Sequence, residues 1–421
     1  MIPFLSDGLS YLEAQSFASF FALFWYVLVF ELPRYTLSFA AAAFLPRRAD
    51  IDAADIRRLG RISMLIAGHN EEQAIDTCVR NLAEQSLRPD EVVVVSDGST
   101  DQMPQKLAAL VREGLVDRVH CTDLRAGKAA AINLAERLAT GDFLINIDCD
   151  CSFDRQAVKR IMQPFADPRV GVVAGNLLVR NPWQSLLCTF QAIEYLISIS
   201  LGKAALGMIG QVSCASGAFS AFRRTALDEV GGLDAGGGED LDVTLRLRKA
   251  GWGVEFAADA IATTSVPVTV SAFIRQRLRW ERDAVRLRYR KHGMLLNPFS
   301  RAFRPTELFH EIEFLVFNVI GSAMLPVYFV WLLVSFGDLG LIVLVGAQVG
   351  ILFIDTVVFL LAAFATPQAR SARLIPYIVG YSLFNGFAMR FIRLAAYTQE
   401  WVYRSSYRDS YVPAKVHNVR R

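Results

Sequence analysis

From Arg61 to about Thr264, short β-branched and aliphatic runs alternate with helical stretches. That alternation predicts a mostly parallel sheet flanked by helices. Strands are expected at Ile62–Ala67, Glu91–Ser96, Arg118–Cys121, Phe143–Ile147 and Val170–Ala174. The first, second and fourth of these end in polar clusters: Gly68-His69-Asn70-Glu71, Asp97-Gly98-Ser99 and Asp148-Cys149-Asp150. Open α/β sheets bind ligands outside the carboxyl ends of their strands, so the three clusters should converge on one crevice.

Apolar segments of membrane grade enclose this block. Phe17–Leu32 is preceded by Asp7 and Glu13 and followed by Arg34, Arg47 and Arg48, the charge order of a retained anchor with its basic end inside. Ile312–Phe336 and Leu339–Phe364 are each long enough to span about 30 Å of hydrocarbon at about 1.5 Å per residue, and form a hairpin around Gly337-Asp338. Arg390 and Arg393 interrupt a fourth stretch, Leu374–Ala396. If it crossed, Arg404, Arg408, Lys415, Arg420 and Arg421 would lie outside, against the positive-inside rule, and a tilted or interfacial helix removes that conflict. The expected organisation is an anchor (1–48), a cytosolic α/β domain (61–292), carboxy-terminal transmembrane or interfacial helices (305–399) and a basic tail (400–421). It describes a multi-pass protein of an inner or plasma membrane.

A chain of 421 residues has room for these parts, and a net charge of +3 is too small for a nucleic-acid binder. The six cysteines (Cys78, Cys121, Cys149, Cys151, Cys188, Cys214) lie in the polar middle without zinc-ligand spacing, as reduced cytosolic thiols do.

The polar clusters carry the chemistry. Asp148 and Asp150 close a strand one residue apart, so strand alternation points both into the crevice and Cys149 away. A hard ion such as Mg²⁺ commonly takes one or two carboxylates plus substrate phosphate oxygens. Asp97 follows the Val92–Val95 run and is placed against a nucleotide base, although Asp with Gly also simply makes a turn. Lys128 opens a helix whose amino end favours anions. In Glu239-Asp240-Leu241-Asp242, Asp242 suits a helix start, and Asp240 is the better general base for an acceptor hydroxyl. The preceding Gly236-Gly237-Gly238 suits a loop that moves when substrate arrives. Arg275–Lys291 is strongly basic, as an interfacial helix on anionic lipid would be. Within it, Gln276, Arg279 and Trp280 share a helix face, offering an amide, a guanidinium fork for diphosphate and an indole for a sugar ring.

In order and spacing this series resembles the inverting family 2 glycosyltransferases of the membrane-embedded synthase type, among them cellulose, hyaluronan, poly-N-acetylglucosamine and chitin-oligosaccharide synthases. The resemblance runs from about Arg61 to Lys291, with the flanking apolar segments. It implies a Rossmann-like nucleotide-sugar transferase domain, a UDP-sugar donor and Mg²⁺ or Mn²⁺. Asp97 then falls on the uridine-binding aspartate, Lys128 on the donor-site lysine, Asp148 and Asp150 on the DxD pair, and Asp240 on the base. Gln276, Arg279 and Trp280 fall on the QxxRW motif, with Gln276 and Arg279 serving the donor and Trp280 the acceptor. Cys214 and Ser216, in Ser213–Gly217, match the segment that touches the acceptor sugar. The sequence departs from the family at Ser96, where a second aspartate is frequent, and at His69, where an aromatic residue is. The short stretch after the last apolar segment leaves no space for the cyclic-nucleotide-sensing domain of some cellulose synthases.

The activity implied is processive, inverting β-transfer from UDP-glucose or UDP-N-acetylglucosamine, extending a polysaccharide among membrane lipids and helping to move it outward. The alternative is transfer of one sugar to a membrane lipid, as in ceramide glucosyltransferase.

Overall fold

The computed structural model describes the chain apart from residues 1–9, 12, 33–36, 45–49, 235, 301–302, 367–370 and 409–421. The expectations placed on Asp7, Arg34, Arg47, Arg48, Lys415, Arg420 and Arg421 lie outside the described residues.

Eight strands form one sheet: β1 Ile62–Gly68, β2 Glu91–Asp97, β3 Arg118–Thr122, β4 Phe143–Asp148, β5 Ser152–Phe153, β6 Val170–Val179, β7 Phe219–Arg223 and β8 Gly253–Thr264, in the order β3-β2-β1-β4-β7-β6-β8-β5. The five expected strands are present. The mostly parallel sheet is corrected to a mixed one: β3, β2, β1 and β4 are parallel, β7 is antiparallel to both β4 and β6, β6 and β8 are parallel, and β5 is antiparallel to β8. The three strands that the pattern did not announce lack long β-branched runs. β8 is rich in alanine and acidic residues and slips register at Gly175/Asn176, and β5 is two residues long.

The insertion of β7 matters for the site. Because Ile147 pairs with Phe219, the segment ahead of β7 emerges beside the carboxyl end of β4. The carboxyl ends of β6 and β8 reach the same edge.

Both faces of the sheet are covered. One core joins Ile62, Met64, Ile66 and Phe143 to helices 75–83, 103–112 and 157–162. The other joins Leu65, Val93, Val95 and Leu144 to the helices that carry Ile132 and Val243. Strands buried on both faces read as continuous apolar runs, which is why Val92–Val95 shows no alternation.

The helices that position the site are α1 Phe17–Glu31, α2 Lys128–Leu138, α3 Leu186–Glu194, α4 Gly202–Gly207, α5 Glu239–Ala250, α6 Val270–Val285, α7 Pro305–Phe336, α8 Asp338–Ala365 and α9 Arg390–Tyr403. Among the described residues, α7 and α8 are long and apolar enough to cross a membrane, and a third or less of each apolar window is buried. Their outward faces carry Val330, Val334, Val345, Val349 and Phe353. The described helix α1 is shorter than the roughly 20 residues of a full span. It rests on α7, where Tyr328 donates its hydroxyl to the Leu23 carbonyl at 2.7 Å and stacks on Tyr26. The fourth apolar stretch is a run of helical segments ending in α9, and its arginines are engaged. Arg390 pairs with Glu31 of α1 and donates to the Phe317 carbonyl at 2.9 Å, and Arg393 donates to Glu281 of α6 at 3.1 Å.

Candidate active site

The crevice at the carboxyl edge of the sheet collects the predicted clusters. Asp148 is the last residue of β4 and pairs with Lys128, the first residue of α2. The expected strand alternation stops there. A turn closes with Cys151 N donating to the Asp148 carbonyl at 3.2 Å, so the direction of Asp150 is set by that turn and by Thr264, whose hydroxyl donates to it at 3.0 Å. Arg180 holds the Asp150 carbonyl oxygen. Cys149 does turn inward, its buried thiol donating to the Ala67 carbonyl at 3.6 Å. Burial, reinforced by Asp150 and Asp148, raises the pKa of Glu71 on the neighbouring loop. Burial also raises that of Asp148, against the opposing pull of Lys128.

Asp97 is buried at the end of β2, with both carboxylate oxygens accepting backbone N–H groups, from Ala126 and Gly127 at 2.7 Å each. It therefore fastens the loop that delivers Lys128. Gly98 follows with φ +63°, and a Cβ there would stand 2.4 Å from the Arg125 nitrogen, so only glycine lets this loop close on the strand.

Gly217 joins the two halves of the crevice. Its carbonyl accepts from Lys128 Nζ at 3.1 Å and from Asn146 at 3.0 Å, and its N–H donates to Asp240 at 3.3 Å. Asp240 lies in the first turn of α5, its other oxygen accepting the Leu241 N–H at 2.8 Å. Thr244 ties this turn to the same segment, donating to the Asp240 carbonyl at 2.6 Å and accepting the Ala215 N–H at 2.9 Å. Beside it, burial and then the Asp240 charge push Glu239 up to about 7. Asp242 points elsewhere: Arg246, Lys291 and His292 surround its buried carboxylate within 2.8 Å. The hydrogen bonds from His292 and Lys291 hold it well below the usual carboxylate range despite burial.

The small-residue segment at 213–217 brings Ser216 against Lys203 of α4, whose buried ammonium donates to the Ser216 hydroxyl at 2.6 Å. Burial lowers the pKa of this lysine. Cys214 sits over Leu241, Leu245 and Leu287, and burial raises its thiol well above the ordinary value.

Helix α6 bridges the two ends of the crevice. The loop before it is stitched to the segment after Arg180, with Asn181 exchanging hydrogen bonds with Val266, and Gln191 donating to Pro267 at 2.9 Å. At its far end, Asp283 and Arg286 grip the glycine run: Arg286 donates to the Gly237 carbonyl at 2.6 Å, and a Cβ on Gly237 would fall 2.4 Å from Asp283. Close approach thus supplies a reason for the glycines besides motion. Between these anchors lie Gln276, with a buried carbonyl oxygen lacking a hydrogen-bond partner, half-buried Arg279 and Trp280, which is 37% exposed and faced by Arg277 at 4.7 Å.

The structure thus brings Asp97, Lys128, Asp148, Asp150, Cys214, Ser216 and Asp240 to one edge, and anchors the helix of Gln276, Arg279 and Trp280 beside it at both ends. Sequence reasoning missed Lys203, Asn146, Arg180 and Thr264. Lys203 and Asn146 had a legible signal, a lone polar residue inside an apolar run, whereas Arg180 and Thr264 end strands that were predicted short or not at all.

Residues 60–282 match the family described as Glycosyltransferase like family 2. The N-acetylglucosaminyltransferase of Rhizobium meliloti (strain 1021) is 29% identical over 292 residues, covering 64% of this chain and 63% of the relative. The poly-beta-1,6-N-acetyl-D-glucosamine synthase of Staphylococcus aureus (strain COL) is 29% identical over 290 residues, covering 68% and 67%. The chain therefore spans less than two thirds of the rhizobial relative. A mannosyltransferase from Pyrobaculum calidifontis, solved in complex with GDP-Man and Mn²⁺, shares the fold with a TM-score of 0.59 at 19% identity, over 95% of this chain and 99% of that one. With the family match extending over more than half of its length, the chain belongs to the glycosyltransferase-like family 2.

Proposed function

We propose that this enzyme is a processive, inverting β-glycosyltransferase that transfers glucose or N-acetylglucosamine from its UDP-sugar to a growing glycan. The catalytic domain faces the cytosol, and α7 and α8 sit in the membrane. The observation that carries this reading is the Gly217 hub: Lys128, itself paired with Asp148, holds the carbonyl of this residue, and Asp240 holds its N–H. A donor diphosphate and an acceptor hydroxyl held by those groups meet across that residue.

The oxygen donors suit a hard divalent ion. Asp148 and Asp150 end in the crevice, and ions such as Mg²⁺ use one or two carboxylates and take the rest from substrate and water. When bound, the ion neutralises charge on the leaving diphosphate. Lys128 and Arg279 add cationic donors to the same phosphates, Asp97 shapes the nucleotide pocket by holding the 126–127 loop, and Gln276 lends its amide to the donor. Trp280, Cys214 and Ser216 hold the acceptor sugar, with the indole against its apolar face. Asp240 takes the acceptor proton as that oxygen attacks the anomeric carbon from the face opposite the diphosphate. The new C–O bond forms with inversion while the bond to the phosphate oxygen breaks and UDP leaves.

Incubation of the detergent-purified protein with a panel of radiolabelled UDP-sugars tests the proposal. A product ladder or polymer supports it, one sugar on an extracted lipid replaces processive synthesis with single transfer, and turnover of neither glucose nor N-acetylglucosamine refutes the donor assignment.

A further inference from the structure

The helix that carries Trp280 is gripped on both sides of that residue by helices outside the sheet. On one side Arg277, buried and facing the indole, donates to Glu194 of α3 at 2.7 Å. On the other, Glu281 spends both carboxylate oxygens on α9, accepting Arg393 Nε at 3.1 Å and the Tyr397 hydroxyl at 2.6 Å. A second bolt lies further along, where Arg290 donates to the Glu400 carboxylate at 2.7 Å and to its carbonyl at 3.1 Å. The same α9 reaches the apolar helices, since Arg390 pairs with Glu31 of α1 and donates to the Phe317 carbonyl in α7. A continuous polar line therefore runs from the apolar helices through α9 to the residue next to Trp280.

We infer that Glu281, clamped by Arg393 and Tyr397, is a positioning residue that sets Trp280 against the acceptor, so that sugar transfer depends on α9, which lies beyond the family-matched residues. This rests on the acceptor role proposed for Trp280. The physical reason is leverage: a carboxylate one residue from the indole fixes the rotation of α6 about its axis. Both partners of the Arg393–Glu281 pair are largely shielded, at 13% and 16% side-chain exposure, so water replaces this contact poorly. Loss of the clamp leaves α6 held by Arg277 and at its ends, but without its hold on α9 beside Trp280. The donor contacts of Lys128, Asp148 and Asp150 do not pass through this line.

The test compares full-length Glu281→Gln, Arg393→Met, Tyr397→Phe, the exchange Glu281→Arg with Arg393→Glu, and Trp280→Ala. Turnover and UDP affinity are measured for each. Glu281→Gln and Arg393→Met are expected to lower turnover about 10- to 100-fold, as misplacement of a positioning group by about 1 Å does, with a clearly smaller fall in UDP affinity, because Lys128 and Asp148 keep the donor while Gln276 and Arg279 share the shifted helix. Tyr397→Phe should lower it less, and the exchange should restore most of the loss. Three results overturn the inference while Trp280→Ala is inactive: single variants at the wild-type rate, a UDP affinity that falls in step with turnover, or an exchange no more active than Glu281→Gln and Arg393→Met. Full activity of Trp280→Ala refutes the acceptor role itself, a separate failure.

Discussion

Replacing Asp240 by asparagine separates catalysis from architecture, because the structure gives the two effects different sizes. The carboxylate accepts two backbone N–H groups, Leu241 at 2.8 Å and Gly217 at 3.3 Å. An asparagine keeps one acceptor oxygen and turns an NH₂ towards the other donor, so one hydrogen bond is lost at a cost of about 0.5–1.5 kcal/mol in stability. Thr244 still caps the Asp240 carbonyl and the Ala215 N–H, so the hub keeps its shape. Removal of a positioned base costs about 10²–10⁴ in rate. At about 1.4 kcal/mol per factor of ten, that is roughly 3–5 kcal/mol of barrier, several times the structural loss. Asp240→Asn should therefore bind UDP within a few-fold of wild type, unfold only a few degrees lower and transfer almost nothing. Calorimetric titration of UDP in the presence of Mn²⁺, paired with radiolabel transfer, measures both. Turnover within tenfold of wild type removes Asp240 as the base, and an equal fall in UDP affinity makes it a structural residue.

Four further outcomes are expected. Asp150→Asn should abolish metal-dependent turnover and weaken donor binding while leaving expression intact, and chelation should do the same to the wild type; normal metal-dependent activity in that variant contradicts the metal assignment. Gly98→Ala forces a Cβ to within 2.4 Å of the Arg125 nitrogen and a strained φ, so it should displace the Lys128 loop and weaken UDP binding at least about tenfold in a titration, as loss of more than about 1.4 kcal/mol implies. Asp242→Asn removes the buried carboxylate from Arg246 and His292, while Lys291 keeps Asp234, and should destabilise the fold by about 3–5 kcal/mol in denaturant melts. Its pKa lies below the unfolded value of 3.8, so this contribution is complete above that pH and fades only as pH falls further; no acid loss attributable to Asp242 across that range would contradict it. A reporter fused after Arg421 should report the cytosolic side, because the tail is basic.

Strands β1, β2 and β4 were legible because they are buried on both faces and end in polar residues, a pattern that local sequence carries. β7 was not, since Phe219-Ser-Ala-Phe-Arg is short and is defined by what it lies between. That gap hid the most useful feature of the site. Asp148 and Asp240 are far apart in the chain, and only the antiparallel insertion of β7 beside β4 puts Gly217 where it touches both sides. Residue types at strand ends announced which side chains were chemical, while the residue that unites them is a glycine whose role depends entirely on pairing. Lys203 shows the same limit from the other direction. Its sequence context marks an oddity in an apolar run, but its partner, Ser216, comes from another element.

Arg390 and Arg393 complete the argument about charge in apolar segments. Counted along the sequence, each is a cost that speaks against membrane insertion. In the fold each faces a specific acceptor, Glu31 for one and Glu281 for the other, and neither is exposed to the surroundings of the helix. A paired charge on a buried helix face constrains how helices meet, and its desolvation penalty is offset by the partner it finds. The two arginines are therefore better evidence for assembly than for topology. The same distinction applies to the basic run from Arg275 to Lys291, where Arg277, Arg286, Arg288 and Arg290 meet Glu194, Asp283, Glu311 and Glu400. A segment that looks like a lipid-binding surface is ionically paired at those four positions: Arg288 and Arg290 join it to α7 and α9, Arg277 to α3, and Arg286 pairs within its own helical run.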